Sequence, residues 1–190
     1  MLLFSLNTDA PCAEAPVVDA LIRRIGNGDM DAFRSLYDRV HGNVFGFALS
    51  IVKNPHDAED VLQETFLKIY ANAAAYRPQG KPLAWVFRIA RNIALDKQRR
   101  GDRNLPLDER RTAAQYTVED ADDRLLIKTL LTKLTDEERQ ILILHAVSGI
   151  KHREIAAVLG LPVGTVLSKY HRAVKRLKLA IEEEMDHDKP

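Results

Sequence analysis

The sequence predicts an all-α protein made of two small helical domains joined by a linker, the C-terminal one containing a helix-turn-helix. Apolar residues recur at helical spacing in one segment after another. A stretch with Gly101, Pro106 and mixed charges interrupts that pattern, as is typical of a linker. Late in the chain, a glycine turn leads into a helix with an apolar back and a basic front. We expect a disordered leader, a first domain, a linker and a second domain at residues 1–16, 17–100, 101–121 and 122–190.

The charge pattern limits how the protein can contact a partner. Its 190 residues carry a formal net charge of only +1, so contact with nucleic acid must come from local patches. Arg88–Arg103 and Lys169–Lys178 are basic, whereas Glu119–Asp123 and Glu182–Asp188 are acidic. The apolar start Met1–Leu6 is too short for a signal peptide, and no run is long enough to span a membrane. We therefore expect a cytoplasmic protein without membrane insertion.

No signature of catalysis is found in the sequence. It has no glycine-rich phosphate loop and no nucleophile elbow. The single cysteine, Cys12, excludes a disulfide framework and a cysteine-based zinc site. The histidines are scattered, and His145 and His152 lack the i, i+4 spacing of a helical metal pair. We expect no enzymatic activity, no metal site and no cofactor.

The third predicted helix, Asp57–Ala75, has an unusual outward face. It follows helices over Val17–Gly28 and Asp29–Lys53 that are expected to supply core. The face expected to be buried holds Ala58, Val61, Leu62, Thr65 and Ile69. The opposite face holds Asp60, Gln63, Glu64 and Leu67. An outward leucine among acids and an amide fits a docking surface for a partner with apolar and basic groups, and it fits a stray exposed leucine equally well, since these are common.

The next two segments carry groups suited to nucleic acid. The loop Tyr76–Pro82 offers an aromatic ring and two cations, which can stack a base and hold its phosphate, or can simply connect two helices. In the helix Leu83–Gly101, the Lys97 stem is expected to cover apolar surface while its amine reaches water. The other side of that helix carries Arg88, Asn92, Leu95 and Arg99. Arginine and asparagine suit base edges and phosphates, but such a face is also compatible with simple solvation.

The second domain is predicted to end in a helix-turn-helix. Two amphipathic helices, Asp122–Lys133 and Asp136–Val147, precede it, and Thr135 with Glu138 predicts a capping box for the second. Gly160 suits the turn after the first helix of the motif. The apolar back of the following helix is formed by Val166, Tyr170, Ala173 and Leu177, and its basic front by Thr165, Lys169, Arg172 and Arg176, with Ser168 and Lys175 beside them. This pattern favours DNA reading in the major groove over an ordinary helical hairpin. After Ile181 the chain is expected to fray.

Three motifs together resemble the extracytoplasmic-function sigma factors of bacteria, over the span from Val17 to about Glu184. They are DAEDVLQETFLKIY at Asp57–Tyr70, AWVFRIARNIALDKQRR at Ala84–Arg100 and REIAAVLGLPVGTVLSKYHRAVKRL at Arg153–Leu177. They are similar to the family's region 2.2, regions 2.3 and 2.4, and region 4.2. One departure is Leu167, because the family usually has arginine or lysine at that position of the GTVxS motif.

The resemblance implies a role for each outward residue. Region 2.2 of such proteins binds the clamp helices of RNA polymerase, which implies polymerase binding by Asp60, Gln63, Glu64 and Leu67. Regions 2.3 and 2.4 melt the −10 promoter element, which implies contact by Tyr76, Arg77, Arg88, Asn92 and Arg99. Region 4.2 reads the −35 element, which implies contact by Thr165, Ser168, Lys169, Arg172 and Arg176. Trp85 is expected to be a core anchor.

The implied protein is a sigma factor that directs core polymerase to promoters and helps to melt the −10 element. Its implied partners are core RNA polymerase, promoter DNA and an anti-sigma factor that covers both domains. We expect a monomer outside complexes, compact without polymerase and extended with it. A sigma-like decoy that binds only an anti-sigma factor is one alternative, but the presence of Arg88, Asn92, Arg99, Lys169 and Arg172 on the surfaces expected to meet DNA argues against it. A stand-alone helix-turn-helix regulator is the other, but no dimerisation helix is evident.

Overall fold

The computed structural model describes residues 15–104 and 133–187, and within these ranges every regular element is helical. The first domain contains α1 (Ala15–Gly26), α2 (Met30–Val52), α3 (Pro55–Asn72), a 3₁₀ turn (Ala73–Ala75) and α4 (Pro82–Asn104). The second contains α5 (Asp136–Leu142), a π-helical turn (Ile143–Val147), α6 (His152–Leu159) and α7 (Val163–His187). The all-α prediction is confirmed. None of the helices in these ranges combines the length and the apolar character needed to cross a membrane.

Several predicted boundaries differ from the structure. Helix α1 begins at Ala15, inside the predicted leader, and α4 continues to Asn104, past the predicted start of the linker at Gly101. Helix α7 continues to His187 instead of fraying after Ile181. The helix predicted over Asp122–Lys133 lies outside the described residues except for its last residue, which is in a turn.

Local side-chain chemistry sets the helix ends of the first domain. Asp29 caps α2 by accepting a hydrogen bond from the Ala32 amide at 2.9 Å. Asn54 caps α3 in the same way, accepting from the His56 amide at 2.9 Å. Helix α3 starts at Pro55, two residues before the predicted start, because proline loses no hydrogen bond in a first turn.

The first-domain core lies between α1, α2, α3 and α4. Phe47 and Phe87 are both fully buried and meet edge to face, with ring centroids 5.3 Å apart. The predicted inner face of α3 is buried, including Thr65, whose hydroxyl donates to the Val61 carbonyl at 2.6 Å. At the end of α1, Gly26 lies so close to the 3₁₀ turn that a Cβ would sit 2.7 Å from the Ala73 oxygen.

In the second domain, short-range signals fix the helix-turn-helix. Thr135 and Glu138 form the predicted capping box at the start of α5. Gly160 ends α6 in the left-handed conformation, with φ of 69°, as expected from its position. The predicted helix over Asp136–Val147 is α-helical only to Leu142, and its last turn is a π turn in which the Ser148 amide donates to the Ile143 carbonyl at 3.0 Å.

The two domains pack against each other through one continuous apolar core. Buried residues of the second domain, among them Ile141, Leu144 and Ile155, belong to the same cluster as the first-domain core. At the edge of this contact, Lys53 Nζ lies 2.6 Å from a carboxylate oxygen of Asp136. The two domains are therefore in contact, which is the compact arrangement expected of the chain outside complexes.

Candidate polymerase and promoter interfaces

The outward face of α3 is exposed in the structure. Gln63 and Glu64 are exposed, and Leu67 exposes 68 % of its surface. Tyr70, which sequence analysis did not single out, is 48 % exposed and packs edge to face on Phe33, with ring centroids 5.8 Å apart. The sequence could have indicated this exposure, because Tyr70 follows Leu67 by three residues and helical spacing places both on the same side of α3.

Asp60 differs from the other residues of this face because a side chain from another helix binds it. Lys97 of α4 donates to a carboxylate oxygen of Asp60 at 2.7 Å and lies 3.1 Å from Asp57. The hydrogen bond from Lys97 is the main reason that the pKa of Asp60 lies below its usual value. The Lys97 side chain is 31 % exposed, and its amine also meets two acids where α4 packs alongside α3, which the sequence did not predict.

His56, Asp57 and Asp60 form the one group of three potential metal ligands that lie close together in the described part of the chain. Their ligand atoms lie within 4.8 Å of one another. The Lys97 ammonium contacts both carboxylates and supplies the positive charge that a cation would bring. This cluster is therefore explained as an ion-pair junction between α3 and α4.

An open cleft of about 630 Å³ lies between the loop at residues 76–81 and α4. Arg77, Lys81 and Arg88 line it and give it cationic walls. Tyr76 and Trp85 also line it, with ring centroids 4.9 Å apart. The cleft combines aromatic and basic groups, as a site for an unstacked base and its phosphate requires.

Tyr76 is fixed in the wall of the cleft. Its hydroxyl donates to Asp19 of α1 at 2.8 Å, and the side chain is half-buried. Burial, and secondarily the bond to Asp19, raises the pKa of Tyr76 well above its usual value. Trp85 is also half-buried and packs against the core, in line with its expected anchoring role. Asn92 and Arg99 are exposed on α4 but do not line the cleft.

Helix α6 of the second domain closes one side of the cleft. Glu154 and Ala157 belong to its lining. Burial raises the pKa of Glu154, while the charges of Lys81 and Lys151 act in the opposite direction. Next to the cleft, Arg91 Nη2 of α4 donates to the Leu159 carbonyl at the end of α6, at 3.0 Å. Sequence analysis gave no partner for Arg91.

The candidate recognition helix α7 has the predicted apolar back. Val166, Tyr170 and Ala173 are buried and Leu177 is half-buried. Ser168 and Arg172 are exposed, as expected of the front. Lys169 and Arg176, however, lie on the flank that faces α5. Lys169 Nζ is 2.7 Å from Glu137, and Arg176 Nη1 is 2.7 Å from Glu138.

Arg176 is itself exposed, but acids of α5 pair with both flank cations, which leaves an exposed front turned away from α5. Ser168 and Arg172 share it with His171 and Lys175, which are exposed and lie three or four residues from them along the helix. His171 was missed because the sequence pattern followed the cations alone. Leu167 is 38 % exposed and lies one turn before His171, at the edge of this front.

Comparisons with known proteins agree with this architecture. Residues 36–104 match the family model of sigma-70 region 2, and residues 124–177 match that of sigma-70 region 4. The chain is 34 % identical over 157 residues to the extracytoplasmic-function RNA polymerase sigma factor SigL of Mycobacterium tuberculosis, covering 79 % of this chain and 89 % of SigL. It is 28 % identical over 178 residues to SigW of Bacillus subtilis, covering 85 % and 95 % of the two chains.

Two solved structures resemble it in fold. The sigma factor RpoE in complex with the anti-sigma factor NepR from Bartonella quintana matches with a TM-score of 0.67 and 25 % identity, over 79 % of this chain and 96 % of RpoE. CnrH in complex with the cytosolic domain of CnrY matches with a TM-score of 0.59 and 28 % identity, over 90 % and 98 %.

Two helical domains, a cationic cleft and a helix-turn-helix define a promoter-recognition subunit. The chain belongs to the extracytoplasmic-function sigma factor family. Members of this family are transcription initiation factors without catalysis of their own, and this chain is a promoter-directing sigma factor of that kind.

Proposed function

We propose that the outward face of α3 docks on core RNA polymerase, that the cleft takes an unstacked base of the −10 element and that the front of α7 reads the −35 element. The cleft is the observation that supports this assignment best. Arg77, Lys81 and Arg88 surround its aromatic wall, so that one site offers both ring contacts and phosphate-binding charge.

The docking part rests on Gln63, Glu64 and Leu67. An apolar side chain surrounded by an amide and acids fits a partner surface with both apolar and basic groups. Asp60 contributes to this face mainly by fixing α4 against α3 through Lys97. The −10 part rests on Tyr76, Arg77 and Arg88, with the exposed Asn92 and Arg99 continuing the basic face of α4.

The −35 part rests on the exposed front of α7, which carries Ser168 and Arg172. Arginine there can form paired hydrogen bonds with a guanine edge. Thr165 is half-buried near the start of the helix and lies beside this front. Lys169 and Arg176 lie on the flank, where acids of α5 already bind them.

The regulatory part of the proposal is an anti-sigma protein that holds this chain inactive in the cytoplasm until a stress signal releases it. Among the solved structures that resemble this chain, RpoE is in complex with the anti-sigma factor NepR and CnrH is in complex with the cytosolic domain of CnrY. Contact between the two domains, with Glu154 at the edge of the cleft, provides a compact form for such a protein to hold.

Reconstitution with core polymerase tests the proposed function. Run-off transcription from a genomic fragment library should yield defined transcripts only when the chain is added. Leu67→Ala should weaken binding to core about tenfold, a loss of about 1.4 kcal/mol, because Leu67 is the exposed apolar side chain at the centre of the proposed face. Val17→Ala, at an apolar residue of the same domain that is 41 % exposed, is the matched control and should leave affinity unchanged. Absence of chain-dependent transcripts would refute the proposal.

A further inference from the structure

Glu138 joins the cap of α5 to the flank of α7. It is only 2 % exposed. Its Oε2 accepts hydrogen bonds from the Thr135 amide at 3.0 Å, the Thr135 hydroxyl at 2.9 Å and Arg176 Nη1 at 2.7 Å. A buried carboxylate needs such partners, because desolvation of an unpaired charge is very costly. Arg176 is therefore the counter-charge of a buried acid.

The same flank holds a second paired cation. Glu137 lies 2.7 Å from Lys169, whose side chain is only 22 % exposed. Arg172 Nε lies 4.0 Å from Glu138 Oε1. Burial alone would raise the pKa of Glu138, but hydrogen bonds from Thr135 and the charges of Arg176 and Arg172 outweigh it and keep that pKa below its usual value. Glu138 is consequently ionised at neutral pH.

On the front of α7, Arg172 approaches Glu138 only at 4.0 Å, a longer and weaker pairing than those of Lys169 and Arg176 at 2.7 Å. Lys175 is exposed, and no ion pair involves it within the described residues. Contacts between cations and phosphates strengthen binding to any sequence, whereas contacts with base edges discriminate between sequences. The sequence selectivity of α7 therefore depends on how many of its cations contact phosphates.

We propose that Glu138, assisted by Glu137, sets the promoter selectivity of α7 by holding Arg176 and Lys169 on its flank, away from DNA phosphates. Contact with DNA is then left to the exposed front. Glu138 acts here as a positioning residue, and the inference rests on the proposed function of α7 as the promoter-reading helix.

The test measures binding of the full chain to a duplex oligonucleotide without a promoter element, by fluorescence anisotropy over a range of salt concentrations. Glu138→Gln keeps an acceptor oxygen for the capping box and removes the charge. It should free Arg176 and steepen the log–log salt slope by about 0.9 for each additional phosphate that the helix neutralises. Between 1 M and 0.1 M salt, the variant should then gain roughly eightfold more affinity than the wild type gains. Glu182→Gln removes the same charge from an exposed position of α7 and is expected to leave the slope unchanged.

Two further variants make the result decisive. Arg176→Gln combined with Glu138→Gln should restore the wild-type slope, because the freed cation is gone. Lys169→Gln alone should leave the slope unchanged if Glu137 already binds Lys169. A slope reduced by about 0.9 in Lys169→Gln would show that Lys169 binds phosphate in the native chain and would overturn the proposal.

Helicity by circular dichroism shows whether Glu138→Gln remains folded. If it does not, Glu137→Gln serves instead, because the Glu137 side chain is 50 % exposed and its loss should free Lys169 without unfolding the domain. A wild-type slope in the folded variant refutes the inference. Run-off transcription with the same preparations tests the proposed function separately. The salt slopes test the role of Glu138 whether or not transcripts are obtained.

Discussion

Arg91 of α4 donates through Nη2 to the main-chain carbonyl of Leu159, the last residue of α6, at 3.0 Å. The carbonyl end of a helix carries partial negative charge, so a guanidinium there is favourably placed. Burial is the main reason that the pKa of Arg91 lies below its usual value, and arginine remains charged at neutral pH even so. One side chain of the first domain thus caps a helix of the second.

Arg91→Gln should therefore loosen the contact between the two domains. Glutamine is too short to reach the carbonyl as arginine does, and the lost charge removes the favourable helix-end interaction. Small-angle scattering of the free chain should show a larger radius of gyration. Arg99→Gln, at an exposed arginine of the same helix, is the control. Identical scattering from both variants would mean that Arg91 does not maintain the compact form.

Asp60 and Gln63 should behave differently although both lie on the proposed docking face. Asp60→Asn removes the hydrogen-bonded charge that Lys97 contacts, so we expect a small loss of thermal stability and weaker core binding. Gln63→Ala should weaken core binding with no loss of stability, because Gln63 is exposed. Calorimetry and core-binding titration measure the two effects. Equal melting temperatures for the two variants would show that the Lys97 junction adds nothing to stability.

Arg172→Ala should relax base preference in the −35 element. Arg172 is exposed on the front of α7, and a paired contact between arginine and a base contributes about 1–3 kcal/mol of discrimination. Holoenzyme activity is compared on promoters with each −35 base varied in turn. Lys175→Ala, at a neighbouring exposed cation, should instead lower activity on all promoters about equally. Uniform loss of activity with Arg172→Ala would assign that residue to a phosphate.

The charge of Glu138 should make the second domain sensitive to acid. The pKa of Glu138 is lower in the folded chain than its ordinary value of 4.5, so its ionised form stabilises the fold above that pH. This contribution, of about 1.5–3 kcal/mol for a hydrogen bond to a charged group, is lost as pH falls through the folded pKa. Urea unfolding of wild type and Glu138→Gln at pH 7 and at stepwise lower pH measures it. A difference in stability that persists unchanged in strong acid would point to packing as its source.

Much of the fold could be predicted because its signals are local. The capping box of Thr135 and Glu138 and the left-handed Gly160 depend on residues a few positions apart, and both were found where expected. The buried back of α7 follows from helical periodicity, which one helix imposes on its own side chains. Helix boundaries, such as the end of α4 at Asn104, were less predictable, because the spacing of apolar residues does not fix where a helix ends.

By itself, the sequence determined which residues form helices, which faces of those helices are apolar and to which family the chain belongs. The tertiary structure alone decided which charges remain available to a partner. Lys97 meets Asp60 across 37 residues, Arg176 meets Glu138 across 38 and Arg91 meets Leu159 across 68. Such pairs depend on how helices far apart in the chain pack together. The periodicity of one helix does not predict which acid or carbonyl of a neighbouring helix will lie beside it.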